Sequence, residues 1–249
     1  MSHTTHSPDG PAVERGQFET THWSLILAAA DSQAPGAGVA LERLCVSYWY
    51  PLYVYVRRKG HAPEDAQDLT QEFFARLLEK RHVKLADRDR GRFRSFLLKS
   101  LQHFLTNEWT RAQAQKRGSG QPLLSLDAEA GEKGFAQEPT TLSPESLYDR
   151  GWAFTLLDRA METLRGVYVD GGKSDLFDAL KPLLLNEGLA EAYDEIALRL
   201  GVTGGAAKVA VHRLRHRFRG IVREEISQTL STPQEIDEEL RYLIAALST

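Results

Sequence analysis

The sequence predicts an all-α protein of two small helical domains joined by an acidic, flexible linker. Apolar residues recur at helical spacing through most of the chain. No run of alternating apolar and polar residues is long enough for a strand, and no Asn-Gly hairpin signal occurs. Residues 118–143 are rich in Gly, Ser, Pro and acids, a composition typical of a linker.

Length and composition narrow the class of protein. The 249 residues suit two small domains or one large one, and the apolar fraction of 42% is sufficient for packed cores. Cys45 is the only cysteine, which excludes an internal disulfide and fits a reducing, cytoplasmic setting. The apolar run Trp23–Ala30 is too short to span a membrane, and acidic residues before it disfavour a secretory signal. We therefore expect a cytoplasmic protein without membrane insertion.

The first predicted domain covers residues 19–117 and follows a polar tail at 1–18 that we expect to be disordered. Pro63 marks a helix start, because a first-turn residue needs no backbone donor. Helices are predicted from Thr20 or Thr21 to Ala30, and over Val39–Lys59, Pro63–Lys80 and Arg92–Lys116.

The second predicted domain covers residues 144–249. Ser143 is a candidate cap for a helix that reaches about Arg165. The remaining predicted elements are a helix over Ser174–Asn186, a helix-turn-helix, and a final helix from Thr232 or Pro233 to Ala246.

The helix-turn-helix is predicted over Tyr193–Arg219. Gly201 ends a short first helix because glycine tolerates the left-handed conformation of a sharp turn. Val202 is expected to plug the turn, and Thr203 to cap the second helix. The inward face of that second helix is predicted to be Ala207, Val211, Leu214, Phe218 and Ile221.

The opposite face of this second helix is basic. Lys208, His212, Arg215 and Arg219 share one stripe, and residues 208–223 hold six Lys or Arg and no acid. Such a helix suits a groove lined with phosphates. A solvated face on an ordinary amphipathic helix is the alternative, but the glycine turn and cap before it favour DNA binding.

Charge is segregated along the chain although the net charge is only −3. Residues 88–117 hold eight basic and two acidic side chains, a net charge of +6. Residues 124–150 hold six acidic and two basic side chains, a net charge of −4. This pattern indicates local electrostatic surfaces and not attraction by the whole molecule.

Two helices of the first half carry further signals. Asp68, Gln71 and Glu72 form an acidic stripe, for which a plain solvated face is the alternative. The helix after residue 92 combines aromatic residues with basic and amide side chains, a combination that stacks on unpaired bases and holds their backbone. For Phe96 and Phe104 we favour the simpler interpretation that they are core residues.

These segments together resemble the extracytoplasmic-function (ECF) subgroup of bacterial RNA polymerase sigma factors. EDAQDLTQEFF is similar to the family's polymerase-docking helix. FRSFLLKSLQHFLTNEWTRAQ is similar to the helix that recognises and opens the minus-ten promoter element. YDEIALRLGVTGGAAKVAVHRLR resembles the helix-turn-helix that reads the minus-thirty-five element. The resemblance covers roughly residues 39–118 and 144–230.

The resemblance implies a sigma factor that binds core RNA polymerase and promoter DNA, has no chemistry of its own and needs no cofactor or metal. An anti-sigma factor is a further candidate partner. The implied polymerase-binding residues are Asp65, Asp68, Gln71 and Glu72. The implied minus-ten residues are Arg92, Arg94, Lys99, His103, Asn107, Trp109 and Arg111. The implied minus-thirty-five residues are Thr203, Lys208, His212, Arg213, Arg215 and Arg219.

The chain departs from the family pattern at several positions. His103 stands where the family commonly has Asn, and Val209 and Ala210 stand where polar or basic residues are usual. Base reading by the second helix is therefore expected to depend on fewer side chains.

Two other functions remain open from the sequence. The first is a helix-turn-helix regulator that never contacts polymerase, which would leave the acidic and aromatic helices unused. The second is a metal-dependent helical enzyme, because His61, Asp65, Asp68 and Glu72 share a helical spacing. No other helix offers the facing carboxylates that metal sites of helical bundles draw on.

Overall fold

The computed structural model describes residues 37–79, 92–114, 128–184, 190–227, 230 and 233–248, and none of these lies in a strand. This confirms the predicted all-α class. The helices are α1 (Ala37–Arg58), α2 (Pro63–Glu79), α3 (Phe93–Ala114), α4 (Ala128–Gln137), α5 (Pro144–Asp170), α6 (Ser174–Leu180), α7 (Ala190–Leu200), α8 (Gly204–Ser227) and α9 (Pro233–Leu247).

Most predicted helix boundaries agree with the structure. Ser143 caps α5, because its Oγ accepts a hydrogen bond from the Ser146 backbone N–H at 3.0 Å. The helix predicted over Ser174–Asn186 is shorter: α6 ends at Leu180 and a 3₁₀ turn follows over Lys181–Leu183. Pro182 explains the break, since it has no backbone N–H to continue the hydrogen bonds of the helix. The predicted tail at 1–18 and the helix ending at Ala30 lie outside the described residues.

The long helix α5 lies at the centre of the fold and contacts α1, α6, α8 and α9. A Cβ added to Gly151 would lie 3.2 Å from the Pro51 Cα, so glycine allows α5 to approach α1 closely. Beside this point the rings of Tyr48 and Trp152 stack with their centroids 4.7 Å apart. The described parts of both predicted domains therefore contribute to one continuous core. The boundaries at residues 117 and 144 remain a prediction.

The predicted linker is wrong in part. Its residues 128–137 form the helix α4, which packs on α1, while residues 118–127 lie outside the described residues. A Cβ on Gly131 would lie 2.5 Å from the Trp49 ring, and one on Gly134 would lie 2.7 Å from the Tyr50 hydroxyl. The glycines that indicate a linker by composition therefore allow close packing against aromatic side chains.

Acidic residues of this segment, together with Glu145 at the start of α5, contact the second half of α1. Three tyrosine hydroxyls of α1 donate to three carboxylates: Tyr53 to Glu132, Tyr50 to Glu138 at 3.1 Å, and Tyr55 to Glu145 at 3.3 Å. Arg57 pairs with Glu132, and Arg58 donates to the backbone carbonyls of residues 139 and 140. These carboxylates thus have hydrogen-bond partners within the chain.

Candidate nucleic-acid interface

The first two candidate minus-ten residues lie at the start of α3 and join it to the C-terminal helices. The Nε of Arg94 donates to Glu239 on α9 at 2.6 Å, and its guanidinium also pairs with Asp149 on α5. Arg92 pairs with the same Glu239 at 2.7 Å. Arg94 is buried, so in this arrangement its side chain faces protein and not an open DNA surface.

The surroundings of Arg94 form a closed charged network. The Tyr242 ring lies under the guanidinium, with 4.5 Å between the Arg94 Cζ and the ring centroid, and the Tyr242 hydroxyl donates to Asp149. Burial alone would lower the pKa of Arg94, but the hydrogen bond and charge of Glu239 raise it above its usual value. Burial raises the pKa of Asp149, and the charge of Arg94 opposes that rise.

The outer face of α3 carries the other minus-ten candidates. Lys99, His103 and Asn107 are exposed, and Trp109 is 67% exposed. Phe104 is buried against Phe73, which confirms its interpretation as a core residue, and Phe96 is half-buried. The side chain of Arg111 lies outside the described residues. The exposed set offers a ring, an imidazole, an amide and a cation on one helix, which are groups that can stack on bases and contact phosphates.

A cleft of about 390 Å³ lies beside Trp109, between α1 and α3. Its walls include the Tyr55 ring and the Lys59 ammonium group, and Gln102 donates to the Tyr55 hydroxyl at 3.0 Å. The cleft combines aromatic surface, hydrogen-bonding groups and a positive charge, which is suitable chemistry for an unpaired base and its phosphate.

The acidic stripe on α2 is largely open to solvent. Asp65, Asp68 and Glu72 are exposed, and Gln71 is half-buried. Glu72 pairs with Arg76, which also pairs with Glu108 on α3. Asp65 and Asp68 are consequently the less compensated charges of the stripe, whereas part of the Glu72 charge is neutralised.

The predicted turn at 201–203 joins α7 to α8. Gly201 has a φ of +65°, and the Thr203 hydroxyl accepts a hydrogen bond from the Ala206 backbone N–H at 3.2 Å. The predicted inward residues of α8 are buried, except Ile221, which is half-buried. The expectation for Val202 is wrong: it does not plug the turn but is 45% exposed.

The basic face of α8 divides into two parts. Lys208, His212, Arg213 and Arg219 are exposed. Arg215 is half-buried and donates from Nε and one terminal nitrogen to the Leu183 carbonyl, at 3.1 and 2.8 Å. Position 215 faces the segment after α6, and Arg215 fastens α8 to that segment. Its assignment as a minus-thirty-five residue remains a prediction.

Several residues at these surfaces were not predicted from the sequence. Asp149, Glu239 and Tyr242 hold Arg94, but no local pattern connects residues so far apart in the chain. Leu198 is 85% exposed near the turn. An exposed leucine on the polar face of α7 was visible in the helical spacing and could have been identified.

In a comparison with protein families, residues 47–115 match the model of sigma-70 region 2. The matched segment contains most of α1, all of α2 and α3, and both candidate surfaces on them. The match supports a relationship of this chain to the sigma-70 family, whose region 2 interacts with core RNA polymerase. Comparisons with curated proteins and with solved structures find no match.

Two further properties concern the described residues alone. No three His, Cys, Asp or Glu side chains among them converge so as to hold a metal ion. None of the described helices is both long enough and apolar enough to cross a membrane.

Proposed function

We propose that this chain is an RNA polymerase sigma factor of the ECF type, which directs core polymerase to a set of promoters. The observation that carries the proposal is the match of residues 47–115 to sigma-70 region 2. It falls on the helices that present the acidic stripe and the exposed aromatic and polar face. In this function the protein supplies binding energy and selectivity to polymerase and has no catalytic residues of its own.

Core polymerase binding is assigned to the outer face of α2. Asp65 and Asp68 are exposed carboxylates, and Gln71 adds an amide beside them. Exposed carboxylates of this kind attract and orient a basic partner surface. Because Glu72 is shared with Arg76, its contribution requires that the intramolecular pair open or that Arg76 take part in the contact.

Minus-ten recognition and melting are assigned to the outer face of α3 and the adjacent cleft. Trp109 offers an exposed ring, while His103 and Asn107 offer hydrogen-bonding groups on the same helix. Capture of an unpaired base by such groups favours the melted strand over the duplex. Lys99 is exposed and suited to a phosphate, and Arg111 is proposed from sequence alone.

Minus-thirty-five recognition is assigned to the exposed face of α8. Lys208, His212 and Arg213 lie within its first half, where a helix entering the major groove commonly contacts base edges. Arg219 lies further along and suits the phosphate backbone. The Thr203 hydroxyl already caps the helix, so a DNA contact from it would use its remaining hydrogen-bonding capacity.

A regulator that binds DNA without polymerase is the second candidate, because the basic face of α8 suits it equally. Co-purification of the tagged chain with purified core polymerase separates the two functions. A sigma factor forms a complex with core that withstands gel filtration and that does not require DNA. Binding to DNA fragments with no measurable core complex would favour the regulator.

A further inference from the structure

We propose that α9 is an autoinhibitory latch that covers the start of the candidate promoter-melting helix by holding Arg92 and Arg94. The activity that the latch would inhibit, promoter melting, rests on the proposed function. The existence of the latch rests on the contacts of α9 alone. In the latched state Glu239 occupies the two guanidinium groups. Release of α9 removes Glu239 from both arginines at the basic end of α3, so that Arg92 and the side of Arg94 that Asp149 does not hold can contact phosphates.

The contacts of Glu239 carry this inference. Its side chain is 2% exposed, accepts a hydrogen bond from Arg94 and pairs with Arg92, which directly precedes α3. The Tyr242 ring, one helical turn later on α9, covers Arg94 from another side. Two successive turns of α9 thus contact Arg94, and the first of them also contacts Arg92.

The chemistry of this contact makes it exchangeable. A buried ion pair contributes little net stability compared with apolar packing, because both ions lose their hydration. A DNA phosphate offers the arginine fork the same bidentate acceptor geometry as a carboxylate does. Phosphates can therefore replace Glu239 as the partner of the guanidinium groups, so that these groups remain paired. An apolar contact at this place could not be exchanged for phosphate in this way.

The packing beneath α9 is incomplete. A cleft of about 330 Å³ with mainly apolar walls remains between α5, α8 and α9. Leu243 is buried there, while Leu240 is only partly buried. Atoms that line such a space lack packing partners on one side, which weakens the apolar attachment of α9.

The latch is tested first in the free chain by hydrogen exchange of the α9 amides. Glu239→Gln keeps the shape of the side chain and removes its charge. The matched control is Glu238→Gln, because Glu238 is exposed and lies 3.9 Å from Arg92. We expect Glu239→Gln to accelerate exchange in α9 by about tenfold and Glu238→Gln to change it by less than about twofold. Equal exchange in the wild type and Glu239→Gln overturns the latch.

The masking is tested by binding of a fluorescent single-stranded oligonucleotide to the free chain. Release of α9 in Glu239→Gln should tighten binding at least about fivefold and increase its salt dependence, because two more cations reach phosphate. Faster α9 exchange with unchanged binding and salt dependence overturns the masking role. If circular dichroism shows that Glu239→Gln fails to fold, Tyr242→Ala gives the same two tests, because its ring lies at the surface of the contact.

The two proposals fail in different ways. Loss of the sigma function would appear as no core polymerase complex with either the wild type or Glu239→Gln. That result leaves the exchange and oligonucleotide measurements in the free chain to decide about the latch.

Discussion

The Nε of Arg94 donates a hydrogen bond to the Glu239 carboxylate at 2.6 Å, although 145 positions separate the two residues in sequence. The contact links the start of α3 to α9, and Asp149 extends it to α5. The basic residues nearest the candidate melting surface are therefore part of the attachment between N-terminal and C-terminal helices.

Arg94 should be among the residues most important for stability. Arg94→Ala removes the cation that pairs with Asp149 and leaves Glu239 with Arg92 alone, and loss of one partner of a buried ion pair typically costs about 3–5 kcal/mol. Urea unfolding followed by circular dichroism measures this change. Lys99→Ala, an exposed cation on the same helix, is the control and should lie within about 0.5 kcal/mol of the wild type. A similarly small change for Arg94→Ala would contradict the described network.

The packing of α4 on α1 depends on the absence of a side chain at Gly131. Gly131→Ala places a methyl group 2.5 Å from the Trp49 ring, so the ring or the helix α4 must shift. We expect a loss of about 1–3 kcal/mol and a changed tryptophan emission. Gly166→Ala on α5 is the control: its added Cβ meets nothing within 4 Å, and helix propensity should stabilise it by up to about 1 kcal/mol. Destabilisation by both substitutions would refute the specific contact.

The attachment of α4 should weaken in acid. The Arg57 hydrogen bond lowers the pKa of Glu132 below its ordinary value of 4.5. A depressed carboxyl pKa gives stability that is complete above the unfolded value and lost as pH falls through the folded value. Asp149 has the opposite effect on the pH dependence of stability, because burial raises its pKa and disfavours its ionised form.

The contribution of the ionised Glu132 carboxylate to stability can be measured from urea midpoints of the wild type and variants between pH 6 and pH 3. Glu132→Gln should lose less stability than the wild type over that range. Glu129→Gln is the matched control, since Glu129 is exposed on the same helix and pairs only with its neighbour Lys133 among the contacts described for it. Parallel pH profiles for the wild type and Glu132→Gln would exclude the role given to this carboxylate.

Charge reversal on α2 tests core docking. Asp68→Arg should weaken core polymerase binding by about tenfold or more, because it replaces attraction by repulsion at a basic partner surface. Asp68 is preferable to Glu72, whose reversal would also disturb the pair with Arg76. Asp178→Arg on α6 makes the same change in charge at another exposed position and should have little effect. Equal core affinity for both variants would remove the docking assignment.

The exposed and anchored arginines of α8 should behave differently. Arg213→Ala should weaken DNA binding with little change in stability, and a lost base contact should relax discrimination at one position by about 1–3 kcal/mol. Arg215→Ala should instead lower the free energy of unfolding, because it leaves the Leu183 carbonyl without this donor. Titrations with matched and mismatched sites, together with urea unfolding, separate the two outcomes. A stable Arg215→Ala with a reduced salt slope would show that Arg215 contacts phosphate.

Local periodicity was sufficient to predict the helices and the buried face of α8. Residues spaced by about 3.6 positions lie on one side wherever the helix is placed, so Ala207, Val211 and Leu214 could be assigned from sequence. The turn at Gly201 is equally local, because its positive φ depends on the residue itself. The start of α5 at Ser143 and Pro144 follows from capping rules of the same range.

The contacts that decide which charges are available could not be predicted in this way. Arg94 and Arg215 cannot be distinguished from the exposed arginines by sequence pattern, but their guanidinium groups are bound by residues distant in the chain. Gly131 and Gly134 have low helix propensity, and only the facing aromatic side chains of α1 make the absence of a Cβ favourable. Sequence patterns describe single elements, whereas these outcomes depend on pairs of elements.

Reconstituted transcription with purified core polymerase tests the central claim most directly. A library of genomic fragments is transcribed with core alone and with core plus this chain, and the 5′ ends of the products are sequenced. We predict discrete start sites that require the chain, share spaced upstream sequence elements, and weaken with Trp109→Ala more than with Glu238→Gln. Transcripts identical with and without the chain, in a preparation that binds DNA, would contradict the sigma function and favour a regulator independent of polymerase.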